Sequence, residues 1–148
     1  MATKGLVIMR TAKTEMQWRS ILGKLNKVKD GTARAMPDAL MYAFLPIFQD
    51  SQMMVPVDTG HLRASGYLRK VPAAGRKQAR VEMGYDADYA MVVHEDMSKS
   101  HQGTTQAKFL EQPVQKHKGK MQERIAYYLR MAQTGSIHKM PDEVKGRD

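Results

Sequence analysis

Cysteine is absent from the 148 residues, which excludes disulfides and thiolate metal sites outright. Long apolar runs are lacking too. The longest, Ala39 to Phe48, is ten residues, about half of what a bilayer span of about 20 needs, so no membrane association is expected. Leu6 to Met9 is only four apolar residues without a cleavage context, so no secretory signal is read and a soluble protein made in a cytoplasm is expected. No Gly-x-x-x-x-Gly-Lys-Ser/Thr segment and no glycine-rich turn after a strand is present to cradle phosphates, which removes the common nucleotide-binding loops. Aromatics are sparse and not interleaved with the basic residues as a stacking platform requires, and no helix-turn-helix or zinc-finger spacing occurs.

What the chain has in excess is positive charge: 24 Lys and Arg against 15 Asp and Glu, a formal +9. That balance favours acidic partners, nucleic acid among them, and keeps a second reading open, a basic module binding nucleic acid without regard to sequence. The charge is unevenly laid out. Arg63 to Glu82 carries six basic residues and one acidic, whereas Asp86, Asp88, Glu95 and Asp96 form an acidic block with no basic residue between them. Thirteen methionines suit irregular cores and adaptable contact surfaces. The five histidines, at 61, 94, 101, 117 and 138, share no ligand spacing: after His94-Glu95 a zinc helix would place its second histidine at 98, which is Ser98. Ser65, His94 and Asp58 could be named as a triad, but no nucleophile elbow surrounds Ser65. No catalytic residue, metal or cofactor is therefore expected, and the chain is read as a non-enzyme.

Along the chain, Trp18, Ile21, Leu22, Leu25 and Val28 recur at three- and four-residue steps, predicting a helix from Thr14 that ends at Asp30-Gly31-Thr32. Met36, Leu40, Ala43, Phe44, Ile47 and Phe48 predict a second, ending near Met54 and kinked at Pro46. Leu6 to Met9 reads as a short strand or an extended arm. Tyr67–Val71 and Ala79–Met83 alternate apolar and polar, predicting a hairpin with a long loop between. Met97–Gln106 is a polar loop. From Lys108 a long helix follows on Leu110, Val114, Met121, Ile125, Tyr128 and Leu129, and ends at Gly135. The predicted architecture is α+β: two N-terminal helices and a long C-terminal helix packed on a small, mostly antiparallel sheet. Residues 1–135 form one domain in this reading, and 136–148 a disordered C-terminal tail.

The corner between the helical and the alternating halves is Val55 to Gly66. Pro56 stops the helix before it, Asp58 and Thr59 can accept from the free N–H groups of a new turn, Gly60 permits tight approach, and Arg63 lies one turn on from Asp58. Pro56-Val57-Asp58-Thr59-Gly60 followed by Leu62-Arg63 resembles the signature of a tailed-bacteriophage family of head-tail joining proteins, the minor capsid or tail-component proteins. Tyr89-Ala90-Met91-Val92-Val93-His94-Glu95 and Ala107-Lys108-Phe109-Leu110-Glu111-Gln112-Pro113 resemble two further segments of that family, in the same order. The chain departs from the pattern at His94-Glu95-Asp96, where many members carry a glutamate, an aromatic and a glycine.

The resemblance implies an architectural role without catalysis: a ring-forming subunit of the neck between capsid and tail, at head completion or as a tail terminator. Its partners would be further copies of the chain, other neck, portal-adaptor or tail proteins, and non-specific contact with packaged DNA; its location would be the virion, after synthesis in the host bacterial cytoplasm. A ring repeats one head-to-tail contact between two different surfaces. The charge layout offers one such pair, the acidic block Asp86, Asp88, Glu95 and Asp96 against the hairpin cations Arg69, Lys70, Arg76, Lys77 and Arg80. At the corner, Asp58→Ala is expected to lower stability by about 0.5–2 kcal/mol through the lost cap. A thermal melt checks this; an unchanged melt with assembly lost would move Asp58 from fold to interface.

Overall fold

The computed structural model describes residues 12–57, 60–71, 79–98 and 105–147, with side chains from residue 23 onward except Lys24, Leu25 and Val28. The expected strand or arm at Leu6 to Met9 lies outside these residues. A single helix, α1, runs from Ala12 to Met54, so the two N-terminal helices expected on either side of Gly31 are one. The reason is relative cost. Ending a helix at Gly31 strands four carbonyls and demands a new nucleus for the next helix, whereas a glycine inside a helix costs only about 1 kcal/mol. Pro37 and Pro46 also lie inside α1, and each deprives one carbonyl, that of Ala33 or Tyr42, of its donor.

Burial on two sides holds the C-terminal half of α1. On one side Met41 and Phe48 pack on Leu68, with Phe44, Leu45, Met83 and Val144 around them. Ala39 and Ala43 are also fully buried; each is two residues from Met41, and so about 200° round the helix from it. That second side is covered by the returning chain: α4 (Glu111–His117), a 3-10 turn (Lys118–Lys120) and α5 (Met121–Gln133). These run antiparallel to α1, as four contacts in order show. Gln133 Nε2 donates to Thr32 Oγ1 (3.5 Å), the Tyr128 hydroxyl to Asp38 (3.4 Å), Arg124 to the Ala43 carbonyl (3.5 Å), and His117 Nε2 meets Asp50 at 2.9 Å. Gly135 ends α5 as predicted. Its φ of 71° lets its own N–H reach the Ala132 carbonyl and that of Ser136 reach Met131, the Schellman pattern.

The alternating segments form β1 (Gly66–Val71) and β2 (Arg80–Tyr85), paired antiparallel with Gly66 opposite Tyr85 and Val71 opposite Arg80. A third strand, β3 (Glu143–Lys145), pairs antiparallel with the other side of β1 in the order β2-β1-β3. The α+β class therefore holds, with a three-stranded antiparallel sheet, but residues 136–147 pack on the rest of the fold instead of forming a disordered tail. Val144 joins the apolar cluster around Leu68, the Tyr128 hydroxyl donates to the His138 carbonyl (2.9 Å), and the Gly146 N–H donates to the Gly66 carbonyl (2.7 Å).

Strand parity decides where Lys70 goes. It shares a face with Leu68, so its side chain points at α1, is only 10% exposed, and pairs with Asp38 while donating to the Met140 carbonyl at 2.6 Å. Asp142 meets the same ammonium at 3.2 Å. No helix among the described residues is long and apolar enough to cross a membrane.

The seat of β3 is tight: a Cβ on Gly146 would stand 2.0 Å from the Arg63 carbonyl oxygen. Gly146→Ala is expected to cost about 1–3 kcal/mol of unfolding free energy, measured by denaturant titration. Gly119→Ala, with open space around it, is the control and should cost nothing. Equal stabilities for the two variants would mean that β3 is not anchored at Gly146.

Candidate functional site

The corner that follows α1 is built from local rules. Val55 is fully buried and its N–H closes the helix on the Ser51 carbonyl (2.9 Å) before Pro56. Gly60 sits at φ 80°, a left-handed position that side chains resist, and admits the one-turn helix α2 (His61–Ala64). Leu62 is the buried residue of that turn, and Ser65 caps it by donating from Oγ to the Leu62 carbonyl (2.7 Å). Gln52, on the last turns of α1, ties the corner to the sheet. Its Nε2 donates to the Arg63 carbonyl (3.2 Å) and to the Tyr85 hydroxyl (3.1 Å), and its Oε1 accepts from the Arg147 N–H (3.1 Å). Burial pushes the Tyr85 hydroxyl above its ordinary pKa even though Ser51 and Gln52 both bond it.

Three segments distant in sequence meet at this corner. Val55 and Leu62, Ala87, and Phe109 form one buried cluster, with Met54, Tyr85, Ala90, Val93 and Leu110 packed against it. Phe109 stands edge-on to Tyr85 (centroids 5.1 Å apart) and to His94 (4.9 Å). His94 belongs to the short helix α3 (Ala90–Glu95). Backbone bonds stitch the pieces: Gln106 N–H to the Met54 carbonyl, Lys108 N–H to that of His94, and Asp86 N–H to that of Ser65. Lys108 adopts φ 58° to make its bond. Its ammonium pairs with Glu95 and lies 3.6 Å from Glu111. Lys108, and after it His94, hold the Glu95 carboxyl below its ordinary range, and the Glu95 bond raises Lys108 in turn.

Several of the residues singled out from the sequence are engaged within the chain. Arg69 and Arg80 both bond Glu82, at 3.1 and 2.7 Å, and Arg69 also lies over the Tyr67 ring. Lys70 is turned inward on Asp38, a correction to its place on the expected interface. Asp96 accepts from the backbone and hydroxyl of Ser98. Asp86 and Asp88 are exposed and join no ion pair among the described residues. Asp58, Thr59, Arg76 and Lys77 lie outside those residues, so the Asp58–Arg63 pair does too. Of the nominal triad, His94 Nδ1 bonds Glu95 (2.9 Å) while Ser65 bonds Leu62, and the two do not bond each other. No group of three or more His, Asp or Glu among the described residues could hold a metal ion.

Sequence reasoning missed three surfaces, two of them because they join distant elements. An apolar ridge is formed by Met91 (78% exposed) and Val92 (66%) with Tyr89 and Met97 beside them. A cleft of about 680 Å³ runs between α1 and β3. A groove of about 340 Å³ holds Tyr42 and Tyr127, stacked at 6.0 Å, beside Lys120, Arg124 and Arg130. Spacing alone shows the ridge only in part, through three adjacent apolar residues, Met91-Val92-Val93.

Set against known proteins, the chain matches no protein-family model, no curated protein and no solved structure.

Lys108 separates backbone strain from charge. Lys108→Gly relaxes the left-handed residue while losing the ion pairs, whereas Lys108→Val loses the pairs and worsens the strain. The glycine variant should melt several degrees above the valine variant. Equal melting temperatures would show that the backbone at this junction rearranges freely.

Proposed function

We propose that this chain is a structural protein of a tailed-phage virion, a subunit that closes into a ring in the connector joining capsid to tail. The supporting observation is convergence: the three segments that carry the family resemblance, 55–66, 89–95 and 107–113, share one buried cluster, and the Lys108 N–H bonds the His94 carbonyl between the last two. Motifs that met by chance would not be expected to build a single corner. The role asks for a core that keeps its shape and for exposed surfaces free to dock. Phe109, wedged between two rings, supports the first and the α3 ridge the second.

A second reading, a nucleic-acid-binding module without sequence preference, is favoured by the Tyr42–Tyr127 groove. There aromatic and basic side chains stand together in space although they are separated in sequence.

Light scattering on the purified chain is the first test, with a discrete particle many times the mass of one subunit expected. Imaging of virions carrying a labelled chain is the second, with the label expected at the neck. A persistent monomer whose DNA affinity falls steeply with salt, and a label missing from virions, would overturn the ring reading in favour of the nucleic-acid one.

A further inference from the structure

Two surfaces that the fold leaves uncovered are opposite in charge and apolar at their centres. The first is the ridge, where Met91 and Val92 stand out from α3 just after Asp86 and Asp88, both exposed. The second is the cleft along β3, the strand at one edge of the sheet. Leu45, Phe48, Met53 and Val144 supply its apolar surface and Arg63 and Arg147 its cations, with Lys145 at its rim, on the strand face shared with Tyr67. Its one carboxylate, Asp50, is already met by Lys116 (2.7 Å) and His117 (2.9 Å), which leaves the cleft net positive. Lys145 is held by Glu143 at 2.8 Å in an exposed pair, the kind that contributes little and yields readily to a better partner. Arg63 Nε is buried with no hydrogen-bond partner among the described residues.

The two surfaces also face in different directions. His61 packs on Tyr89 at the foot of the ridge, with ring centroids 6.1 Å apart, while Arg63 lines the cleft. Two positions along a helical turn point about 200° apart, so ridge and cleft open on opposite sides of α2. A chain with complementary surfaces on opposite sides is suited to head-to-tail repetition, and a surface of one sign next to its own kind is not.

We propose that the ridge of one copy, with Asp86 and Asp88, docks into the cation-lined cleft between α1 and β3 of a second copy, and that this contact repeats around the ring. The inference rests on the ring reading above and gives that ring its interface. It takes the cleft as the positive partner in place of the hairpin, because Lys70 is turned inward on Asp38, and Arg76 and Lys77 lie outside the described residues.

Two charge-reversed chains test the contact. The ridge variant carries Asp86→Lys with Asp88→Lys, and the cleft variant Lys145→Glu with Arg147→Glu; all four positions are exposed. Each variant alone places like charges together and should raise the concentration at half-assembly about tenfold or more. An equimolar mixture restores opposite charges at every junction and should return that concentration to the wild-type value, read by light scattering. Met91→Asp, at the most exposed point of the ridge, should abolish assembly with an unchanged melt, which keeps the test decisive if a double variant folds poorly. Normal assembly by both double variants and by Met91→Asp would overturn this contact while leaving the ring intact. A mixture no better than its components would overturn it as well. A wild-type chain that stays monomeric would overturn the contact and the ring together.

Discussion

Helix α1 has two sides to bury and nothing of its own to bury them with, and the remaining elements are placed by that demand. Met41 and Phe48 call for an apolar layer on one side, which the inner face of the sheet supplies through Leu68, Val81, Met83 and Val144. On the other side the small residues Ala39 and Ala43 let a helix approach closely, and α4 and α5 return along it. Each covering element lacks a second layer apart from α1, so neither would be stable without it. The polar contacts follow the same division. Lys70 crosses from the sheet to Asp38, and His117 crosses from α4 to Asp50. Arg124 can only donate, so where its Nη2 meets His117 Nδ1 (2.9 Å) the imidazole must accept, which leaves Nε2 to carry the proton toward Asp50. Burial raises the Asp50 carboxyl, but the bonds from Lys116 and His117 and the Lys116 charge outweigh it and leave its pKa lowered.

The corner at the end of α1 shows how conformational cost is concentrated where distant segments meet. Gly60 and Lys108 both occupy the left-handed region. Glycine pays little for this, but lysine is there because its N–H reaches the His94 carbonyl and its ammonium reaches Glu95. The result is a compact junction with an unburied helix, α3, riding on it. Four of the seven exposed large apolar side chains among the described residues, Tyr89, Met91, Val92 and Met97, sit on or beside that helix, a concentration that marks a contact surface better than any one of them would.

Local pattern made much of this fold legible. The alternation in Tyr67–Val71 and Ala79–Met83 predicts β1 and β2 to within a residue or two at each end, and Gly135 ends the last helix as its conformation allows. The errors came where local signals compete with distant ones. Gly31 looks like a stop, yet continuing the helix is cheaper than starting another. Glu143-Val144-Lys145 offers one apolar residue between two charges, and its pairing with a strand more than 70 residues earlier leaves no mark in its own composition. At Lys70 strand parity with Leu68 points the side chain inward, although its charge suggests exposure. The site was legible as a corner and as three ordered segments. The cleft and the Tyr42–Tyr127 groove were not, because each is assembled by packing across the chain, and the ridge was not, because which of its adjacent apolar residues face outward depends on how α3 packs.

The Gln52 amide touches four elements at once: it belongs to α1 and bonds the last turn of α2, the end of β2 and the segment after β3. No three of these elements can satisfy it. Releasing the segment after β3 leaves its oxygen without a donor, and loosening the corner leaves its nitrogen without one acceptor. Each loss adds the desolvation cost of an orphaned polar group to whatever contacts were broken. A single side chain thereby links the sheet's edge to the motif corner energetically. An event at the cleft, where β3 lies, is felt at α2 and through it at the foot of α3, so the two ends of one subunit are coupled rather than independent.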